Sequence, residues 1–130
     1  MNQLQPPGWA KPKGYANGIA VKGGTLVFVA GQIAFDEQGV IHENSFGGQF
    51  RRTLQNTLAV LAEAGAGPQH IVRMTWYITS KQEYLASLKE VGAAWRELIG
   101  KHYPAMAVVE VTALMEDAAK VEIETTAVLP

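Results

Sequence analysis

Carboxylates are the residues in this chain best suited to do chemistry: Glu110 lies in "AVVEV", and Glu122 and Glu124 alternate through "KVEIETTAV". A carboxylate can take a proton from a water held against an electrophilic carbon while a second donor stabilises the developing charge. The same groups can instead accept backbone and arginine hydrogen bonds at a sheet margin, and their spacing leaves both readings open. Met106, in "YPAMAVVEV", adds a flexible thioether that suits the wall of an apolar pocket or simple filling of a gap. Trp9, Tyr15 and Tyr103 offer aromatic lining for such a pocket, or anchors for the segments that carry them.

Other reactive side chains are arranged less suggestively. His42, His70 and His102 show no HxH or HExxH spacing, so the sequence provides no metal motif. His102 precedes "YPAM" at the end of a helical stretch, where a helix dipole also favours histidine. Ser45, Ser80 and Ser87 fall at helix caps or on helix faces, outside any G-x-S-x-G elbow, and no glycine-rich phosphate loop is present.

The chain that must position these groups has 130 residues, 48% of them hydrophobic, which suits one domain, residues 1–130, with a single core. Eleven Lys and Arg against twelve Asp and Glu leave a net charge of −1, so no long-range field draws nucleic acid or an anionic membrane. The absence of cysteine excludes disulfides and thiolate metal sites. "MNQLQPPGWA" lacks the basic start and apolar run of a secretory signal, which points to a cytoplasmic location. No apolar run approaches the roughly 18 residues of a membrane span.

Pro and Gly crowd residues 3–18, so residues 1–18 should form an irregular arm. "IAVKGGTLVFVAGQIAF" reads as a hairpin turning at Gly23-Gly24, with strands over 19–22 and 25–34, and "DEQGVIHEN" as a loop. Phe46, Phe50, Leu54, Leu58 and Leu61 form a helical stripe between Ser45 and Ala64, stopped by Gly65. "HIVRMTWYIT" is a third strand, with Val72, Met74, Trp76 and Ile78 on one face. Ser80 and Glu83 make a capping box for a second helix carrying Tyr84, Leu88, Val91, Trp95 and Leu98 and ending at Gly100. "AMAVVEVTAL" and "KVEIETTAVL" close the chain as strands around the acidic turn "MEDAA".

The order ββαβαββ predicts an α/β two-layer sandwich: a mixed, mostly antiparallel sheet with two helices on one face. Alternation places Ala107, Val109, Val111, Val121, Ile123 and Ala127 under the helices and Met106, Val108, Glu110, Glu122 and Glu124 on the open face. Apolar residues there, with Met74 or Trp76 as further candidates, predict that another subunit covers that face.

"LVFVAGQIAFD" (residues 26–36), "QFRRTLQNTLAVLAEAG", "PAMAVVEV" and "VEIETTAV" together resemble the Rid family, also called YjgF/YER057c/UK114, over residues 14–128. A Gly-Gln pair after the second strand, an asparagine in the first helix, a Pro-Ala pair and a Val-Glu-Ile-Glu strand agree in order and spacing. The resemblance implies a chorismate-mutase-like fold, a homotrimer with a central sheet barrel, and small-molecule clefts between subunits. It also implies hydrolysis of 2-imino or enamine acids such as 2-aminoacrylate to 2-keto acids and ammonia, with no metal or organic cofactor.

Carried over position by position, the family's water-positioning glutamate falls at Glu122, although the preceding loop "LMEDAAK" is one residue longer. Substrate-binding positions fall at Gly31, Gln32, Ala105 and Met106. A tyrosine of the N-terminal loop aligns at Asn17, with Tyr15 two residues away, and an asparagine of the second helix aligns at Gly92. Tyr103 adds to the same wall. Met106 stands where the family keeps the arginine that grips the substrate carboxylate, and a thioether has neither the charge nor the paired donors for that role. Arg51, Arg73 and Arg96 are the cations a neighbouring subunit could bring to the cleft.

The expectation is a branch of the family lacking that arginine: a cofactor-free hydrolytic deaminase of a different small enamine or imine. The alternative is a non-catalytic trimer that binds a metabolite or acts as a chaperone. Some relatives are described as ribonucleases or translation inhibitors. Arg51-Arg52 is the sole basic pair here, with no aromatic-interleaved basic surface to favour RNA.

Overall fold

A computed structural model of the chain describes all of residues Met1–Pro130. Six strands and three α-helices follow in the order β1 (Asn2–Gln3), β2 (Ile19–Ala20), β3 (Thr25–Gln32), α1 (Phe46–Glu63), β4 (Ile71–Ile78), α2 (Lys81–Ala86), α3 (Leu88–Leu98), β5 (Ala105–Glu110) and β6 (Val121–Leu129). The main sheet runs β3-β6-β4-β5, antiparallel except for the parallel β4–β5 pair, and β1 pairs with β2 as a separate ribbon. None of the helices is long and apolar enough to cross a membrane.

Helix α1 begins where the Ser45 hydroxyl accepts a hydrogen bond from the Gly48 amide at 3.0 Å, satisfying one of the orphan donors of the first turn. Phe46, Phe50, Leu54 and Leu61 on one stripe are buried against Met74, Trp76, Ile78, Val121, Ile123 and Ala127 of the sheet. Phe50 and Trp76 meet edge to face with centroids 4.7 Å apart. The helix layer closes over this cluster through Val91, Ala94 and Trp95 of α3.

Four expectations are corrected. Residues 19–22 and 25–34 do not pair as a hairpin, because Ile19 and Ala20 bond to Gln3 and Asn2 while β3 pairs with β6 alone. Gly23 and Gly24 do turn at positive φ, 70° and 94°, but they turn a crossing segment. Ala16 bridges to Ala105 at the start of β5, so the chain must traverse the end of the sheet to reach β3 at the opposite edge. The second helix is two: Ser87 departs from helical geometry at φ −110° and ψ 11°, and its hydroxyl donates to the Glu83 carbonyl. Only half of the capping box forms, since the Ser80 hydroxyl accepts from the Glu83 amide while the Glu83 carboxylate turns to Lys120, 2.6 Å away.

The third correction is in β4. Its pairing with β6 slips between Ile71 and Arg73, so Ile71 enters the core and Val72 leaves it; Met74 and Trp76 are fully under the helices. The fourth is the phase of β5, which is inverted. Met106 is the ladder partner of Met74, Val108 of Trp76 and Glu110 of Ile78, and ladder partners share a face. Met106, Val108 and Glu110 therefore belong to the helix side, and Met106 packs partly buried against the core. Ala105, Ala107 and Val109 accompany Arg73, Thr75 and Tyr77 on the open face. That face also exposes Leu26 and Phe28, the latter 73% accessible.

Candidate active site

Two amide side chains of α1, buried Gln49 and half-buried Asn56, frame the place where β6 begins and β3 ends. Gln49 donates to the Glu43 and Ala118 carbonyls at 3.0 and 2.8 Å and accepts from the Lys120 amide at 2.8 Å, clamping the acidic turn just before β6. Asn56 donates to the Ile33 and Phe35 carbonyls at 2.8 and 2.9 Å, fixing the exit of β3. Buried amides satisfied in this way hold their partners in one position. Between the two clamps, β3 bulges: Val29 pairs with Thr125 and Gln32 with Ile123, so Ala30 and Gly31 together oppose Glu124.

Glu122 lies across this bulge. A β-carbon on Gly31 would sit 2.8 Å from the Glu122 carboxyl carbon, so the close approach depends on glycine having no side chain. Glu122 is half-buried and takes part in none of the four salt bridges. Its neighbours in the sequence pattern are committed elsewhere. Glu124 accepts a hydrogen bond from the Tyr77 hydroxyl at 2.6 Å, and Glu110 accepts from the Lys81 amide at 2.7 Å at the start of α2. The bond to Glu124, with burial and the charges of Glu124 and Glu122 adding to it, raises the pKa of Tyr77, so the phenol stays a donor.

The other residues singled out from sequence fall into two further places. Asn17, Ala105 and Met106 line a groove of about 600 Å³ between the crossing segment and the open sheet, with Ile19, Val21 and Arg73. Tyr15, Asn17 and Tyr103 line a smaller one of about 370 Å³ under the arm. Asn17 donates to Gln5, and Tyr103 stacks on Trp95 at 6.3 Å. Gln32 straps the bulge by donating to the Ala30 carbonyl at 3.1 Å and otherwise faces Arg52 and Asn56. Gly31 and Glu122 are thus in contact, whereas Glu122 and Met106 are on opposite faces. Their ladder partners on β4, Tyr77 and Met74, lie three residues apart, about 10 Å at ~3.3 Å per residue.

The histidines and basic residues take structural roles. His102 donates from Nε2 to the Ile71 carbonyl at 2.6 Å, the His70 ring accepts from the Gly67 amide, and His42 meets Asp36 at 2.6 Å. No three His, Asp or Glu residues converge as metal ligands. Arg51 is paired with Glu97 at 2.9 Å, and Arg52 donates to the Phe35 carbonyl and approaches Glu37. Of the two clamps, Asn56 is the first-helix asparagine of the family resemblance, whereas the only sign of Gln49 in the sequence is a polar residue beside an apolar stripe.

Residues 10–129 match the family model described as Endoribonuclease L-PSP. The RutC family protein slr0709 of Synechocystis is 36% identical over 118 residues, 89% of this chain and 86% of its own. A 2-iminobutanoate/2-iminopropanoate deaminase of Salmonella typhimurium is 29% identical over 88% of this chain and 86% of its own. Among solved structures, YyfB of the conserved Rid protein family from Yersinia pestis superposes with a TM-score of 0.86 at 26% identity, covering 98% of each chain. A match over nearly the whole length, together with the mixed four-stranded sheet under its helices, establishes that the chain belongs to the YjgF/YER057c/UK114, or Rid, family.

Proposed function

We propose that the protein is a cofactor-free hydrolytic deaminase of a small enamine or imine, with Glu122 as the base that orients and deprotonates water. The observation that carries this reading is the difference among the three carboxylates. Glu110 and Glu124 are held by protein donors, while Glu122 is half-buried beside Gly31 with its oxygens free to hold water. A water so held attacks the C=N carbon while Glu122 takes one of its protons and returns it to nitrogen, giving a carbinolamine; a second transfer through Glu122, from the new hydroxyl to the amino nitrogen, breaks the C–N bond and releases ammonia and a carbonyl product. The name of the Salmonella relative supports this class of chemistry.

The substrate is one that does not need the missing arginine. Ala105 and Ala107 of the open face, with Ile19 and Val21 across the groove, supply a largely apolar wall, and Met106 backs it from the helix side. Glu122 and that wall are separated within one chain, so the reading requires a second subunit to join them. Exposed Leu26, Phe28 and Val109 on the open sheet face support a homotrimer whose sheets face one another, with the clefts between subunits. The setting is cytoplasmic. Ribonuclease activity is disfavoured because both members of the Arg51-Arg52 pair are engaged within the chain.

Ammonia release from imines generated in situ tests the reading. Imines with bulky apolar side chains should be hydrolysed faster than 2-aminoacrylate. Rapid turnover of 2-aminoacrylate by the wild type would contradict the substrate assignment. Saturable binding with no turnover of any imine would replace it with a metabolite-binding role.

A further inference from the structure

The net charge of −1 hides a segregation along the chain. Every acidic residue lies at Asp36 or beyond it, whereas Lys11 and Lys13 lie in the arm and Lys22 just after β2. None of these lysines belongs to a salt bridge, and the hollow under the arm, which Lys11 borders, has no Asp or Glu in its wall. The arm is a basic body on an otherwise acidic domain.

Its backbone is held in one shape. Pro6-Pro7-Gly8-Trp9 is a tight turn, with proline second, Gly8 third at φ 82°, and the Trp9 amide donating to the Pro6 carbonyl at 3.3 Å. Gln5 straps this turn: its amide donates to the Trp9 and Ala10 carbonyls at 3.3 and 3.1 Å, and its oxygen accepts from Asn17 at 2.8 Å. The Leu4 amide donates to the Gly18 carbonyl at 2.8 Å and closes the loop. These bonds fix the main chain yet leave the Trp9 side chain 62% accessible, while Trp76 and Trp95 are buried. From that point "WAKPKGY" alternates Trp9, Lys11, Lys13 and Tyr15, and Leu4 and Tyr15 are also exposed.

An indole displayed on a rigid turn beside unpaired lysines suits the boundary between water and lipid. The ring has an apolar body and a polar edge, and lysine stems can lie along the same boundary with their charges in water. We propose that the arm docks on an anionic lipid bilayer, with Trp9 inserted at the headgroup level and Lys11 and Lys13 against the lipid phosphates and carboxylates. Trp9 stands on a turn, outside both grooves beside the arm, and a deformable bilayer receives such a tip without a matching recess, which a folded protein or a nucleic acid would have to provide. The overall charge does not oppose this contact, because at physiological salt attraction reaches only about 8 Å and the local lysines decide it.

Trp9 is its own probe, since the other two tryptophans are buried. The intact protein is titrated with unilamellar vesicles of phosphatidylserine and phosphatidylcholine in equal parts, and separately with phosphatidylcholine vesicles, polyglutamate and a single-stranded oligonucleotide. With the anionic vesicles the protein should co-sediment, its emission should shift to the blue, and added salt should weaken the binding. Neutral vesicles should bind at least about tenfold more weakly. By co-sedimentation, Trp9→Ala should lose at least about tenfold in affinity, and Lys11→Gln combined with Lys13→Gln about 30-fold. Lys89→Gln, which removes a charge from the surface of α3, should leave binding unchanged. No co-sedimentation with anionic vesicles, equal binding to neutral ones, or an unaffected Trp9→Ala or double-lysine variant would overturn the proposal. Tighter binding to polyglutamate or to the oligonucleotide than to the anionic vesicles would overturn it as well, in favour of an acidic protein or a nucleic acid.

Discussion

Glu122 and Glu124 are two residues apart on the same strand and project from the same face, yet they have different surroundings. Glu124 meets Tyr77 from β4 and becomes one end of a cross-strand hydrogen bond. Glu122 meets Gly31 at a bulge in β3, where the chain supplies close packing but no donor. A regular ladder brings side chains together to satisfy one another, whereas a bulge next to a glycine opens a place for a solvent or substrate molecule. The contrast shows why the reactive carboxylate belongs at the irregular position and the structural one at the regular position.

The largest effect that can break this contrast is on turnover. Glu122→Gln keeps the volume and removes the base, and imine hydrolysis should fall by about 10²- to 10⁴-fold with the thermal midpoint little changed. Next in size is Gly31→Ala. The added methyl group must push the end of a flexible side chain aside, so folding should survive while turnover drops about tenfold through misplacement of Glu122. Crystallography of that variant should show the carboxylate displaced.

A smaller effect is expected from Glu124→Gln, which leaves hydrolysis within about threefold of wild type. The phenol of Tyr77 should then titrate closer to its ordinary value of 10.0, because the first cause of its raised pKa is gone. Ultraviolet titration of the phenolate checks this. The smallest effect lies in the loop after β3. The Val40 amide donates to Asp36, His42 adds a second bond and the Gln38 amide a third, which together lower the pKa of Asp36 from 3.8 to about 2. A depressed folded-state pKa stabilises the loop above 3.8, and this is lost as pH falls toward 2. Protection of the Gln38 and Val40 amides, taken relative to their intrinsic exchange rates, should therefore fall only below about pH 4, with Glu122 chemistry unaffected by Asp36→Asn.

Legibility in the sequence followed burial. In β6, central and packed on one face only, "VEIET" alternates apolar with acidic residues and its phase could be read directly. In β5, an edge strand with no residue fully buried, "AMAVV" is apolar at every position, so nothing distinguishes one phase from the other. The parallel register to β4 decides it, and that is a tertiary fact. The contact of Gly31 with Glu122 was foreshadowed by family resemblance, because the Gly-Gln pair and the Val-Glu-Ile-Glu strand both match. Neither the bulge that brings them together nor the clamps of Gln49 and Asn56 has a periodic signature, because each depends on what a distant strand presents.

The most direct test compares ammonia release from one apolar imine generated in situ by the wild type, Glu122→Gln and Glu124→Gln at equal concentrations of folded protein. The account predicts hydrolysis by the wild type and by Glu124→Gln and near-complete loss in Glu122→Gln. Equal losses in the two variants, or undiminished hydrolysis by Glu122→Gln, would contradict the assignment of Glu122 as the working base.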